Sequence, residues 1–158
     1  MKKVSIILLA LLISCCIAGC GKKQTSGNTN VSINQGVEDS NLAPKITLEE
    51  AAHDIQDALG ANYDFFSVSA IDDTMTLNAA NNGISNAVTD LKNGNLDISY
   101  WETATETEIE LVGGVRNYLD VCGYTDIHVC FNVVSDENHE EVFLTIYDSE
   151  VIFDIVKP

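Results

Sequence analysis

The sequence predicts an α+β fold: an antiparallel sheet of about five strands with two or three helices packed on one face. Three observations carry that expectation. Apolar residues alternate with polar ones along residues 65–81 and again through most of 127–156, the period of half-buried strands. Between these blocks, and ahead of the first, apolar residues recur at helical spacing. The implied order is helix, β-hairpin, two helices, then a three-stranded meander.

The first helix is announced by Thr47-Leu-Glu-Glu50, a capping box in which the Thr oxygen takes the Glu50 amide and the Glu50 carboxylate reaches back. Leu48, Ala51, Ala52, Ile55 and Leu59 then fall on one face, and Gly60 is a natural stop. His53 lies off that face and is expected in solvent. In the hairpin, Phe66, Val68 and Ala70 answer Met75, Leu77 and Ala79 across an Asp72-Asp73 turn, where Asp tolerates positive φ. A short helix follows Asn82 through Ile84, Ala87, Val88 and Leu91, closed by Gly94. Residues 95–101 fit either an extended connector or a short edge strand.

The strongest helical pattern spans residues 103–122, with Ile109, Val112, Val115, Leu119 and Cys122 on one stripe and Gly123 as its stop. Thr103/Glu106 and Thr105/Glu108 each offer a capping box, and Glu102, Glu106 and Glu108 complement the positive N-terminal end. Gly113-Gly114 costs about 1 kcal/mol per residue relative to Ala, so either a close approach to the sheet or a kink is expected there. Residues 127–133, 142–147 and 151–156 read as strands. Residues 136–141 form a polar loop, and Asp148-Ser149-Glu150 a turn.

Before this domain the chain has a different character. Lys2 and Lys3 precede a run from Val4 to Ile17 that is apolar except for Ser5 and Ser14, too short for a permanent transmembrane helix and shaped like a secretory h-region. Ile17-Ala18-Gly19-Cys20 follows directly. This stretch resembles the lipobox of bacterial lipoproteins at all four positions. The resemblance implies that Cys20 receives a diacylglyceryl group, that signal peptidase cuts between Gly19 and Cys20, and that Cys20 becomes the first residue of the mature chain. Two acyl chains on one residue give stable attachment where one binds marginally, at about 0.8 kcal/mol per buried methylene. The expected organisation is a signal peptide over 1–19, the lipidated cysteine and a flexible tether over 20–45, and a single α+β domain over 46–158. The tether composition supports a root-mean-square reach of about 25–30 Å. The closing strands, with the helix led by Trp101 before them, also resemble the ends of uncharacterised exported proteins of Firmicutes over roughly the last third of the chain. That resemblance transfers no functional residue.

Charge narrows the partners. The chain has 24 acidic and 8 basic residues, a net −16, and loss of Lys2 and Lys3 with the signal peptide takes it to −18. Such a surface repels phosphate backbones, so nucleic acid is excluded as a partner, while the membrane is reached through diacylglyceryl-Cys20. Of five cysteines, Cys15 and Cys16 leave with the signal peptide and Cys20 is acylated, which leaves Cys122 and Cys130. They are expected on different sides of the sheet, as free and partly buried thiols.

Candidate chemistry is sparse. His128, Cys130 and Asn132 share one face of a strand, but neighbours two apart on a straight strand are about 6.5–7 Å apart, too far for a direct nucleophile–base hydrogen bond. Asp136, Glu137, Glu140 and Glu141 gather carboxylates in one loop that suits a hard cation, yet lack the glycine-marked spacing of an EF-hand. No catalytic residue and no cofactor is assigned. The sequence favours a membrane-anchored surface lipoprotein with a non-catalytic binding or interaction domain for a protein or peptide partner. The alternatives are a small-ligand- or divalent-cation-binding lipoprotein and, behind these, a hydrolase.

Overall fold

A computed structural model describes residues 45–158. The signal peptide over 1–19, the lipobox at Ile17-Ala18-Gly19-Cys20 and the tether through residue 44 lie outside the described residues. Helix α1 (Leu48–Leu59) opens the domain with the expected capping box: the Glu50 amide donates to the Thr47 hydroxyl at 3.1 Å, and the Thr47 amide donates to the Glu50 carboxylate at 2.8 Å. A 3-10 turn (Gly60–Asn62) leads into strands β1 (Phe65–Ile71) and β2 (Thr74–Ala80). Helices α2 (Ile84–Lys92) and α3 (Ile98–Cys122) follow, then strands β3 (His128–Val134), β4 (Val142–Tyr147) and β5 (Glu150–Asp154). No helix among these is long and apolar enough to cross a membrane.

The five strands lie in one sheet in chain order. Three of the four pairings are antiparallel, as expected for two hairpin-type connections at one end and one at the other. The central pairing corrects the expectation of a wholly antiparallel sheet: β2 and β3 run parallel, from Thr74 opposite His128 to Ala79 opposite Val133. The reason is the connection. Parallel neighbours need a long crossover, and α2 and α3 supply it by carrying the chain back to the end of the sheet where β2 began.

Apolar residues at alternate positions of the strands face the helices. Met75 and Leu77 of β2, Val129 and Phe131 of β3, and Leu144 and Ile146 of β4 are fully buried in one cluster with Ala51 and Ile55 of α1 and Val112, Val115 and Leu119 of α3. Each such side chain contributes about 1.5–3 kcal/mol on burial. Tyr118 ties α3 to α1 by donating to Asp54 at 2.7 Å. Lys45 and Ile46 are strapped to the far end of α3: the Lys45 amide donates to the Cys122 carbonyl at 3.0 Å, and the Tyr124 hydroxyl to the Ile46 carbonyl at 2.9 Å.

Local turn chemistry follows the sequence. Asp72 (φ 54°) turns the first hairpin, and Asp148 (φ 48°) and Ser149 (φ 73°) turn the last in the left-handed backbone that two-residue hairpins require. Two helix expectations are corrected. Helix α3 starts five residues earlier than residue 103, at Ile98, with Asp97 as its N-cap accepting from the Ser99 amide at 2.9 Å, so residues 98–101 are neither connector nor strand. Thr103 and Thr105 therefore do not cap it, and Glu106 and Glu108 sit well inside the helix. The Gly113-Gly114 pair makes no close approach, since a Cβ at either position would meet nothing within 4 Å.

Helix α2 is capped from a distance. Asn82 does not serve; Gly83 occupies the N-cap (φ 89°), and Asp136 supplies the acceptor. Its carboxylate receives the Gly83 amide at 2.5 Å, the Ser85 amide at 3.0 Å and the Ser85 hydroxyl at 2.5 Å. The Ser85 hydroxyl also lies 3.0 Å from that of buried Ser135. These bonds, the Ser85 hydroxyl first and the Gly83 amide next, hold the Asp136 carboxyl at about 2. A carboxyl depressed from its ordinary 3.8 stabilises the fold fully above that value and loses the contribution as pH falls toward 2. Replacing Asp136 with Ala is expected to lower stability at about pH 7 by about 1–2 kcal/mol, the cost of a lost cap, and the deficit should shrink at about pH 2. Urea unfolding of both proteins at the two pH values checks this; equal midpoints at neutral pH would refute the role.

Candidate functional site

The core-facing stripe of α3 is longer than its apolar residues suggest. Trp101, Thr105, Glu108, Val112, Val115, Leu119 and Cys122 recur at alternating steps of four and three, the spacing that keeps one helix face on the sheet. Val112, Val115, Leu119, Cys122 and Trp101 are buried as that pattern requires. Thr105 and Glu108 interrupt it with polar side chains.

The interruption coincides with a pocket of about 110 Å³. Its walls are Trp101, Ala104, Thr105 and Glu108 of α3, Ala79 and Ala80 at the end of β2 with Asn81 after them, Val133 and Leu144 from the neighbouring strands, Ile84 of α2, and Tyr63. The pocket thus opens at the carboxyl ends of the parallel pair β2/β3, beside the crossover that makes the pair parallel. Trp101 is fixed from behind: its indole N–H sits 3.1 Å from both carboxylate oxygens of Asp154, which also accepts from the Val156 and Lys157 amides. Tyr63 stacks on Phe66 with ring centroids 5.2 Å apart.

Tyr63 donates its hydroxyl to Glu108 Oε2 at 2.9 Å. Among the described residues no other side chain bonds that carboxyl, and the hydroxyl of Thr105 is buried without any partner. Burial raises the Glu108 carboxyl from 4.5 to about 7, only partly offset by the hydrogen bond from Tyr63. Burial and the facing carboxylate push the Tyr63 phenol upward as well. The result is a mostly apolar-walled pocket with a few polar groups in its lining, one of them a carboxyl that changes charge near neutrality, the features of a small-molecule site.

The residues singled out from the sequence lie elsewhere. His128, Cys130 and Asn132 do share the open face of β3, but they are not a nucleophile–base set. His128 Nδ1 is bonded to the Asp148 carboxylate, which also takes the Val129 amide at 2.9 Å. Cys130 Sγ approaches Asn132 Oδ1 at 3.9 Å, and burial raises its thiol despite that contact, with the charge of Asp148 adding to the rise. A thiol held protonated is a poor nucleophile. Asn132 instead centres a row across four strands: it donates to Asn78 at 2.9 Å, accepts from Thr145 at 2.9 Å, and Asn78 donates on to Ser67 at 3.4 Å. These four residues stand directly opposite one another in register, so the row binds the strands together. Cys122 and Cys130 are both free thiols.

The side chains of the acidic loop point to different surroundings. Asp136 turns toward α2, while Glu137, Glu140 and Glu141 are exposed, and no group of three or more His, Cys, Asp or Glu placed to hold a metal ion occurs among the described residues. His139 lies flat on Phe65 with centroids 3.8 Å apart. A larger, open groove of about 580 Å³ runs past Arg116, Asp126, His128, Asp148 and Ser149. Two of its charged groups are already engaged: Arg116 with the Thr125 carbonyl and Asp120, and His128 with Asp148. The smaller pocket is the better candidate because its wall holds a desolvated carboxyl whose only side-chain partner is Tyr63, next to the unpartnered Thr105 hydroxyl. Position 20 and the cleavage position at Gly19 lie outside the described residues.

The Thr105/Glu108 capping-box pattern places Glu108 at the N-terminal end of α3, whereas the helix begins at Ile98 and carries it inward. The available signal was the four-three spacing continued backward from Val112 through Glu108 and Thr105 to Trp101. No protein-family model, curated protein or solved structure matches the chain.

A carboxyl raised in the folded state stabilises it fully below its ordinary value of 4.5 and loses that contribution as pH rises through 7. The Glu108→Gln protein, which keeps an acceptor for Tyr63 and never ionises, is expected to gain on the natural protein by about 1–3 kcal/mol between about pH 5 and pH 8. Thermal or urea unfolding across that window measures it, and parallel pH profiles would show that Glu108 is not desolvated.

Proposed function

We propose that the chain is a lipoprotein held on the extracytoplasmic face of a bacterial membrane by diacylglyceryl-Cys20, and that its domain is a non-catalytic binding module. The observation that carries the binding half of this reading is the pocket where the buried stripe of α3 carries Thr105 and Glu108 in place of apolar residues. A stripe serving only to pack would gain by filling both positions with aliphatic side chains, since an unpaired buried hydroxyl and a desolvated carboxyl each cost stability.

The anchoring half rests on Ile17-Ala18-Gly19-Cys20 and the lysines and apolar run ahead of it. A binding role is favoured over catalysis by the state of the other reactive side chains: the Cys130 thiol is held protonated, and His128 is committed to Asp148. The acidic balance of the domain keeps it away from anionic headgroups, leaving its surface open to solutes outside the cell.

In the parent organism or a bacterial host, the natural protein is expected in the membrane fraction, with Cys20 at its N-terminus bearing a diacylglyceryl group by mass spectrometry. The Cys20→Ser protein is expected to lose both the acyl mass and membrane association. An unmodified Cys20 in a protein that still pellets with membranes would overturn the anchoring.

A further inference from the structure

We infer that the pocket between Trp101 and Glu108 binds a primary ammonium group carried on a short unbranched carbon chain. The inference rests on the domain being a binding module and names the chemistry its pocket takes. Three residues of its wall carry side-chain oxygens that bear on this, beside the amide of Asn81. Glu108 offers the carboxylate oxygen that Tyr63 does not occupy, the Thr105 hydroxyl has no partner, and the Tyr63 hydroxyl, which donates to Glu108, keeps its lone pairs. An ammonium has three donors and no acceptor, so it matches this set, whereas a guanidinium is a planar fork of five donors.

The remaining walls fit the carbon chain. Ala79, Ala80, Ile84, Val133 and Leu144 are aliphatic, and the Trp101 ring beside them offers a face that attracts cations. A volume of about 110 Å³ suits a small group such as propylammonium or the end of a lysine side chain. Charge selects in the same direction. An anion would meet both the Glu108 carboxylate and the field of a chain with 24 acidic residues, while a cation is drawn in. A cation also supplies the partner that a desolvated carboxylate lacks, which turns the cost of burying Glu108 into affinity.

Among the described residues, Glu108 and Tyr63 are the only titratable side chains lining the pocket; β2, β3, β4 and α2 present none to it. Because the Glu108 carboxyl titrates at about 7, the ammonium competes with a proton, and affinity rises with pH.

Titration calorimetry on the purified full-length protein tests this with n-propylammonium, a Gly-Lys-Gly peptide, and n-propanol as the neutral control. Binding of n-propylammonium or of the lysine peptide is expected with a dissociation constant of order 1 mM. It should strengthen about tenfold from about pH 6 to pH 8 and weaken at least tenfold in Glu108→Gln, whose fold is checked by its unfolding curve. Thr105→Val should weaken it less. Binding of the free amine alone identifies a small solute as the source of the ammonium, and binding of the peptide alone identifies a lysine side chain; either supports the inference. Propanol binding as tightly as propylammonium, or Glu108→Gln binding the amine unchanged, would overturn the ammonium assignment while leaving a ligand pocket. Silence from all three probes would overturn the pocket as a binding site, and neither result touches acylation at Cys20.

Discussion

The packing of one face of α3 on the sheet is the constraint from which most of this domain follows. A helix of 25 residues is about 37 Å long, so it spans the sheet and must keep one stripe buried over nearly its whole length. Val112, Val115 and Leu119 meet Val129 and Phe131 of β3 and the neighbouring strands in a single core. The same helix, with α2, forms the crossover that forces β2 and β3 to run parallel, and its two ends fix the Trp101 indole at one side and the entering strap of Lys45 and Ile46 at the other. The pocket exists because this stripe changes character one turn before Val112. Where α3 leaves the centre of the sheet, Thr105 and Glu108 replace the apolar side chains that would close the gap.

The elements around the core are joined by polar contacts between segments far apart in the chain. Asp136 caps α2 across 53 residues of separation, binding the loop after β3 to the start of the crossover. Asp148, in the tight turn between β4 and β5, reaches His128 and the Val129 amide at the start of β3. Asn132 links its own strand to both neighbours on the solvent face. Each of these groups looked like potential chemistry in the sequence, being a carboxylate in an acidic loop, a histidine near a cysteine, and an asparagine in the same row. Each is consumed by holding the fold, leaving Glu108 and Thr105 as the polar side chains whose placement packing does not account for.

Electrostatics connects the domain to its proposed setting. A strongly acidic module repels an anionic membrane surface, so a lipid at the end of a polar segment would hold it near the bilayer without adsorbing it. Burial is the reason Glu108 keeps its proton up to about neutral pH. A cationic ligand would relieve that desolvation and is also the solute an acidic chain attracts.

By itself the sequence determined what local chemistry controls. The α+β class, the two hairpins, the capping box at Thr47 and Glu50, the stop at Gly123 and the extent of β4 were all legible, because strand and helix periods, caps and turns act within a few residues. The proposal of a lipobox is local in the same way, resting on four adjacent side chains. Only the tertiary structure decided that β2 and β3 are parallel, that α2 borrows its cap from Asp136, and that Glu108 is half-buried against Tyr63 in the wall of a pocket. Those outcomes depend on which distant segments meet. A side chain's own neighbours in the chain do not carry the free energy of its burial; that comes from the whole core closing around it.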